Sequence, residues 1–147
     1  NSEKTLFNID KVTNDHDKVY IFEGPINAFF TKNSIAVAGI TERGRSFTDR
    51  QEQQFNSTLK WFDKVWILDS QWIDQASLIK SEALLKQNEK VFIWPEKFGK
   101  RFKDFNDIAI AAEIDEIRWQ FIEKNTFEGL EGIVKLSEIK KFRNLTT

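Results

Sequence analysis

Four short apolar runs, each continuous rather than alternating, constrain this chain of 147 residues more than any other feature of its sequence. They are rich in β-branched and aromatic side chains and occupy residues 19–22, 34–38, 65–68 and 91–94. Strands that are buried on both faces of a parallel sheet have this continuous apolar pattern, whereas half-exposed strands alternate. We therefore predict a parallel sheet of about four strands.

Helical patterns separate the predicted strands. A short helix is expected over 25–31, with Pro25 in its first turn, and longer helices are expected over 49–62 and 74–87. The apolar residues at helical spacing in the two longer patterns are Phe55, Leu59 and Phe62, and then Ala76, Ile79, Ala83 and Leu84. This alternation of strands and helices predicts right-handed βαβ units and an α/β sandwich.

The two ends of the chain differ from this alternating part. After Asp104 the pattern is helical to the end, with breaks at Asn125 and around Gly129 and Gly132. The predicted division is a polar lead-in over 1–17, a core over 18–112 and a C-terminal helical extension over 113–147.

Composition excludes several classes of chemistry. The chain has no cysteine, so disulfides, zinc–thiolate sites and thiol catalysis are excluded, and its one histidine, His16, lies in a polar turn and is predicted to be inert. With 22 Lys and Arg against 23 Asp and Glu, any anion-binding site must be local. No apolar run approaches the roughly 20 residues of a membrane helix. Because the chain has no methionine, we expect Asn1 to mark a cut inside a larger protein.

Acidic side chains follow three of the predicted strands. Glu23 comes directly after the first strand and Asp69 after the third, and the loop after the fourth leads to Asp104 and Asp107. Because ligands of open α/β sheets bind at the carboxyl ends of the strands, these carboxylates are predicted to share one edge. A carboxylate cluster of this kind suits Mg²⁺, which commonly bridges carboxylates and substrate phosphates.

Each of these residues also has a simpler interpretation. Asp104 and Asp107 have nearly the spacing of a helix capping box, Asp69 could be a turn or cap residue, and Glu23 could be merely solvated. The neighbouring cations could likewise be ordinary solvated residues, or they could hold phosphate or template backbone. These cations are Lys97, Lys100, Arg101 and Lys103 in the loop after the fourth strand, and Arg43, Arg45 and Arg50 after the second.

The ordered set of motifs resembles the Toprim fold of primases, topoisomerases and some nucleases. The resemblance rests on the Glu-Gly-Pro-Ile-Asn-Ala sequence that begins at Glu23 and on the Ile-Leu-Asp-Ser-Gln sequence that contains Asp69. The primases of T-even-type tailed phages are the branch it resembles most. The further stretches that support this branch are 33–36 with 38–39, 91–95, 103–107 and 125–130.

The resemblance implies a Rossmann-like catalytic domain that makes short RNA primers on single-stranded DNA by nucleotidyl transfer. It implies that Glu23 is the catalytic glutamate, that Asp69 is the first acid of a metal-binding motif, and that Asp104 and Asp107 help to hold two Mg²⁺ or Mn²⁺ ions. Ribonucleoside triphosphates and the replicative helicase would be partners, in the cytoplasm of an infected bacterium. No zinc is implied for this stretch, and we expect it to prime poorly in isolation.

Two positions depart from the family pattern. Asn27 and Gln71 stand where family members usually have acids, and amide oxygens attract Mg²⁺ less than carboxylates do. Both are predicted to be weak metal ligands. Two alternatives therefore remain open: a degenerate, non-catalytic Toprim module that docks on helicase or nucleic acid, and a Toprim nuclease that uses the same acids for hydrolysis.

Overall fold

The computed structural model describes residues 6–13, 17–37, 40–45 and 47–146. The expectations for residues 1–5, for the turn that contains His16, and for Ala38 and Gly39 lie outside the described residues. Within the described ranges the strands are β1 (Lys18–Phe22), β2 (Ser34–Ala36), β3 (Ile40–Thr41), β4 (Gly44–Arg45), β5 (Asp63–Ile67), β6 (Lys90–Phe92) and β7 (Thr126–Phe127).

The main sheet has the strand order β2-β1-β5-β6-β7. The first four strands in this order are parallel, and β7 pairs antiparallel with β6. An isolated bridge between Phe7 and Ala36 lies on the outer side of β2. The predicted α/β class with about four parallel strands is confirmed, and the architecture is consistent with a Rossmann-like Toprim fold.

Helices cover both faces of this sheet. The α-helices are α1 (Asp49–Ser57), α2 (Gln75–Lys86), α3 (Glu96–Gly99), α4 (Phe105–Ala112), α5 (Trp119–Lys124) and α6 (Gly129–Thr146), and 3-10 helices span Ile9–Lys11 and Asn27–Phe30. Among the described helices none is both long and apolar enough to cross a bilayer.

The two faces of the sheet form two separate apolar layers. In β1, Val19 and Ile21 pack with α1, α2 and α6, whereas Tyr20 and Phe22 pack with the 3-10 helix Asn27–Phe30, α4 and α5. Successive side chains of a strand point to opposite faces, so a strand covered on both sides must be apolar at every position. This arrangement explains why the runs in the sequence are continuous.

Several predicted helices have different boundaries. The pattern over 25–31 forms only a short 3-10 helix, and the one over 49–62 ends at Ser57, although Leu59 beyond it is still fully buried. Helix α6 continues through Gly132, where a break was predicted. A Cβ at Gly132 would lie 2.6 Å from Leu85, so this glycine permits close packing of α6 on α2.

The predicted apolar face of α2 is partly wrong. Leu78, Leu84 and Leu85 are buried, together with Ser77 and Ser81, because the helix lies between the sheet and α6. Ile79, one of the apolar residues at helical spacing, is exposed instead.

Two short pairings were not predicted. Strands β3 and β4 form a hairpin with Ile40 opposite Arg45, and Gly44 adopts a φ of 96°, a region that favours glycine. Strand β7 lies where a helical break at Asn125 was expected, and it adds residues of the C-terminal stretch to the main sheet.

Candidate active site

The order in which the chain adds strands to the sheet reverses at β1. It passes from β1 to β2 on one side and then to β5 on the other side, so β1 and β5 form the topological switch point. Phe22 of β1 lies opposite Ile67 of β5, which places Glu23 and Asp69 just beyond the carboxyl ends of these two strands. A crevice at such a switch point is the usual ligand site of an open α/β sheet.

Asp69 is the most perturbed acid at this edge. Burial, the largest cause, and the nearby carboxylates of Asp104, Asp74 and Glu23 together raise the pKa of Asp69 from its ordinary value of 3.8 to about 6, against the opposing effect of Lys103. The part of this shift that comes from Asp104, Asp74 and Glu23 reflects their distance from Asp69, since such an effect falls off with separation.

The loop that contains Asp104 is tied to the loop after β5. The Ser70 backbone N–H donates to the Lys103 carbonyl oxygen at 2.7 Å. Asp104 caps α4 by accepting the Asp107 N–H at 2.9 Å, and Asp107 in turn accepts the Lys103 N–H at 3.1 Å. The capping interpretation therefore holds for Asp104, while one of its carboxylate oxygens takes no part in the cap.

Asp69 itself caps no helix, because the N-cap of α2 is Asp74. Asp74 accepts the backbone N–H groups of Ala76 and Ser77. The hydroxyl of Ser77 donates to the Asp69 carbonyl oxygen. This hydrogen bond uses the backbone of Asp69, so the Asp69 carboxylate takes no part in it. The cap alternative for Asp69 thus applies to Asp74, five residues further along the chain.

Lys80 is a member of this edge that sequence reasoning missed. Its ammonium group lies 2.7 Å from a carboxylate oxygen of Glu23, across 57 residues of sequence. A single lysine within a helix has no distinguishing sequence signal, and only the position of α2 against the sheet brings it to Glu23. In the described part of the chain, no three acidic side chains converge closely enough to hold a metal ion by themselves.

The two amides have different positions. Gln71 is fully buried: its nitrogen donates to Ser81 and to the Phe92 carbonyl, and its oxygen accepts the Trp94 N–H at 3.1 Å. These partners direct the Gln71 side chain into the core, so the prediction that it is a weak metal ligand does not fit this geometry. Asn27 remains at the edge, where its oxygen accepts the Asn106 N–H at 3.0 Å.

The basic residues after β6 lie at the same edge as the acids, but two of them have aromatic partners. Lys100 pairs with Glu96 at 2.6 Å and lies 4.0 Å from the ring centroid of Phe142. Arg101 lies over the ring of Phe102. Lys97 and Lys103 are exposed at this edge.

Arg43, which follows β2, does not lie at the edge that carries the acids. The Arg43 carbonyl accepts a hydrogen bond from Gln87, just beyond the far end of α2. Since the 12 residues of α2 span about 18 Å, Arg43 lies at the opposite end of the sheet from Asp69. Arg43 therefore does not lie with the acids and its binding of phosphate stays a prediction, while the side chain of Arg45 lies outside the described part.

The loops of the edge are packed tightly behind the acids. The Ser70 hydroxyl donates to the Gly99 carbonyl at 2.6 Å, and the Trp72 indole N–H donates to the Trp94 carbonyl at 2.7 Å. From α6, Arg143 donates to the Trp72 carbonyl at 2.9 Å. A cavity of about 480 Å³ lies at the other end of the sheet, beside the start of β1, so it does not belong to this site.

Comparison with known proteins relates this chain to a DNA primase. The sequence matches no protein-family model. It is similar to the DNA primase of Enterobacteria phage T4, with 27% identity over 139 residues that cover 92% of this chain and 36% of that protein. The chain thus spans about a third of the length of this relative.

Proposed function

We propose that this chain is the catalytic Toprim portion of a phage DNA primase, which makes short RNA primers on single-stranded DNA by metal-dependent nucleotidyl transfer. One observation carries the proposal. Glu23 and Asp69 follow the adjacent ends of two parallel strands at the switch point, with the Asp104 carboxylate near enough to raise the pKa of Asp69, in a chain that aligns over 92% of its length with a DNA primase. Hard oxygen ligands are what this chemistry requires.

The donor chemistry of the edge suits Mg²⁺ or Mn²⁺. Asp69 retains its proton to an unusually high pH partly because other carboxylates crowd it, and a divalent cation would relieve the same repulsion. Two such ions, when bound, supply activation of the primer 3′-oxygen and stabilisation of the leaving pyrophosphate. Since no three described acids converge, we assign part of the ligand shell to the phosphates of the substrate.

The residues have distinct proposed roles. Glu23 is the catalytic glutamate, and Asp69 with Asp104 and Asp107 orients the metal-bound substrate. Lys97 and Lys103, exposed at the same edge, bind nucleotide phosphates or the template backbone. The proposed partners are single-stranded DNA, ribonucleoside triphosphates and the replicative helicase, in the cytoplasm of an infected host.

The test is extension of a short RNA annealed to a DNA template, since a supplied primer bypasses template recognition. We expect incorporation of a labelled ribonucleotide that depends on Mg²⁺ or Mn²⁺. Glu23→Gln and Asp69→Asn should each reduce it at least about a hundredfold, while the exposed control Asp115→Asn should not change it. Absence of incorporation in the parent, or full activity in Glu23→Gln, would contradict the proposal.

A second candidate, a non-catalytic docking module, has its own support. Asn27 carries no charge where the family pattern has an acid, and the side chain of Gln71 is held in the core, so neither position adds a carboxylate to the edge. This candidate predicts no incorporation, no cleavage of labelled DNA and helicase binding that does not change when metal is removed. Metal-dependent shortening of the labelled DNA strand in the same assay would instead indicate the nuclease.

A further inference from the structure

The pair formed by Lys80 and Glu23 joins two elements of the acid edge. Glu23 follows β1, and Lys80 lies near the middle of α2, the helix that begins after the Asp69 loop. Their charged atoms are 2.7 Å apart, and the Lys80 side chain is only 20% exposed, against 39% for Glu23. The ammonium group is thus largely withdrawn from solvent and directed at the carboxylate.

The charge balance of the edge indicates why a lysine is there. Asp69 is surrounded by carboxylates and has Lys103 as its one opposing charge among the groups that shift its pKa. Glu23 has Lys80. A cation next to a carboxylate lowers the affinity of that carboxylate for a second cation, because both compete for the same negative charge. Lys80 therefore stabilises the edge when no divalent ion is bound and opposes the binding of one.

We propose that Lys80 is a displaceable counter-ion of Glu23, which leaves the carboxylate when a metal-bound nucleoside triphosphate arrives and then pairs with the phosphate oxygens. This inference rests on the proposed function and adds a nucleotide-positioning residue to it. Free metal and Lys80 compete for Glu23, whereas nucleotide and Lys80 attract each other. Removal of the charge at this position must therefore change the two affinities in opposite directions.

The experiment measures two affinities by calorimetry in Lys80→Gln and Lys80→Met. Without nucleotide, both variants should bind Mn²⁺ about tenfold more tightly than the parent, and with Mg²⁺ present both should bind ATP about tenfold more weakly. Lys80→Arg, which keeps the charge, should stay within about twofold of the parent in both measurements. In a Glu23→Gln background, removal of Lys80 should no longer raise Mn²⁺ affinity.

Lys86→Gln is the matched control, since it removes the same charge from the last turn of the same helix, where Lys86 pairs with Glu82. It should leave both affinities unchanged. Loss of both affinities in the Lys80 variants would assign Lys80 a merely structural role and overturn the proposal. Unchanged affinities in these variants would also overturn it. So would the absence of measurable Mn²⁺ binding in every variant.

The binding readouts are independent of primer synthesis. Opposite shifts in a protein that incorporates no ribonucleotide would support the counter-ion and contradict the primase assignment. Unchanged affinities in a protein that does extend primers would overturn the counter-ion alone.

Discussion

The side-chain oxygen of Asn27 accepts the backbone N–H of Asn106 at 3.0 Å and thereby joins the segment after β1 to the first turn of α4. The next N–H of that turn, from Asp107, is accepted by Asp104. Two of the backbone donors that a helix start leaves free are therefore satisfied by side chains of the acid edge. This contact holds the Glu23 and Asp104 segments beside each other.

We expect Asn27→Asp to increase metal affinity without loss of stability. Aspartate keeps the acceptor for Asn106 and adds a negative charge at a helix N-terminus, which contributes about 0.5 kcal/mol and offsets repulsion from the neighbouring acids. Mn²⁺ affinity should rise about three- to tenfold by calorimetry. The exposed Asn56→Asp should not change it, and an equal rise in both variants would show that position 27 has no special relation to the metal.

Substitutions of Gln71 should lower the free energy of unfolding. Gln71→Ala leaves the Trp94 N–H and the Phe92 carbonyl without their buried partner and creates a cavity, which should cost about 3 kcal/mol in the free energy of unfolding. Gln71→Glu replaces a buried donor with a charge and should cost at least as much. Urea denaturation measures both, with the exposed Gln53→Ala as the control; a Gln71→Glu protein of parental stability would show that this side chain reaches solvent.

Asp69 should make the protein less stable as the pH rises. Its folded-state pKa of about 6 lies above its ordinary value of 3.8, so between these values the folded chain holds a proton that the unfolded chain has lost. The contribution of Asp69 to stability should therefore be largest below about pH 4 and fall by about 1–2 kcal/mol up to about pH 6, after allowance for solvent screening.

Asp69→Asn should remove this pH-dependent decrease and raise stability at neutral pH by a similar amount. Urea denaturation in chelator, at several pH values between about 4 and 7, tests this expectation. The exposed Asp115→Asn should keep the parental profile. If Asp69→Asn also keeps it, the Asp69 carboxyl is not the group responsible.

The two glycines at the edge should respond differently to alanine. A Cβ at Gly99 would overlap the Trp72 ring and lie 3.0 Å from the Ser70 hydroxyl oxygen, so Gly99→Ala should cost about 1–3 kcal/mol and displace the loop that contains Asp69. A Cβ at Gly24 meets nothing within 4 Å, so Gly24→Ala should be neutral or slightly stabilising. Melting temperatures compare them directly, and equal effects would mean that the loops relax around Gly99.

The parallel strands could be predicted because burial on both faces requires apolar side chains at consecutive positions, as in β1 and β5. The β3–β4 hairpin and β7 could not, since a two-residue strand is too short to show a period. The buried face of α2 could not be predicted from its apolar residues, because the helix is covered on two sides and its serines are buried as well as its leucines.

The acid edge could be predicted in outline for a topological reason. Residues that follow parallel strands meet at one end of the sheet, which is enough to place Glu23 and Asp69 together without any side-chain information. The topology of the strands does not determine the direction in which a side chain points. Gln71 follows the same strand as Asp69 yet points inward, and Lys80 reaches Glu23 only through the packing of a helix.

The main sheet has two margins, and in the described part of the chain each has a short antiparallel neighbour. Strand β7 covers β6 on one side, and on the other the Phe7 N–H and carbonyl bond with Ala36 of β2 at 3.0 and 3.2 Å. An open strand edge is a template on which further chains can pair and aggregate. Because the outermost pairings are only one or two residues long, they offer little template for a further strand, and the protein should tolerate high concentration without forming intermolecular sheets.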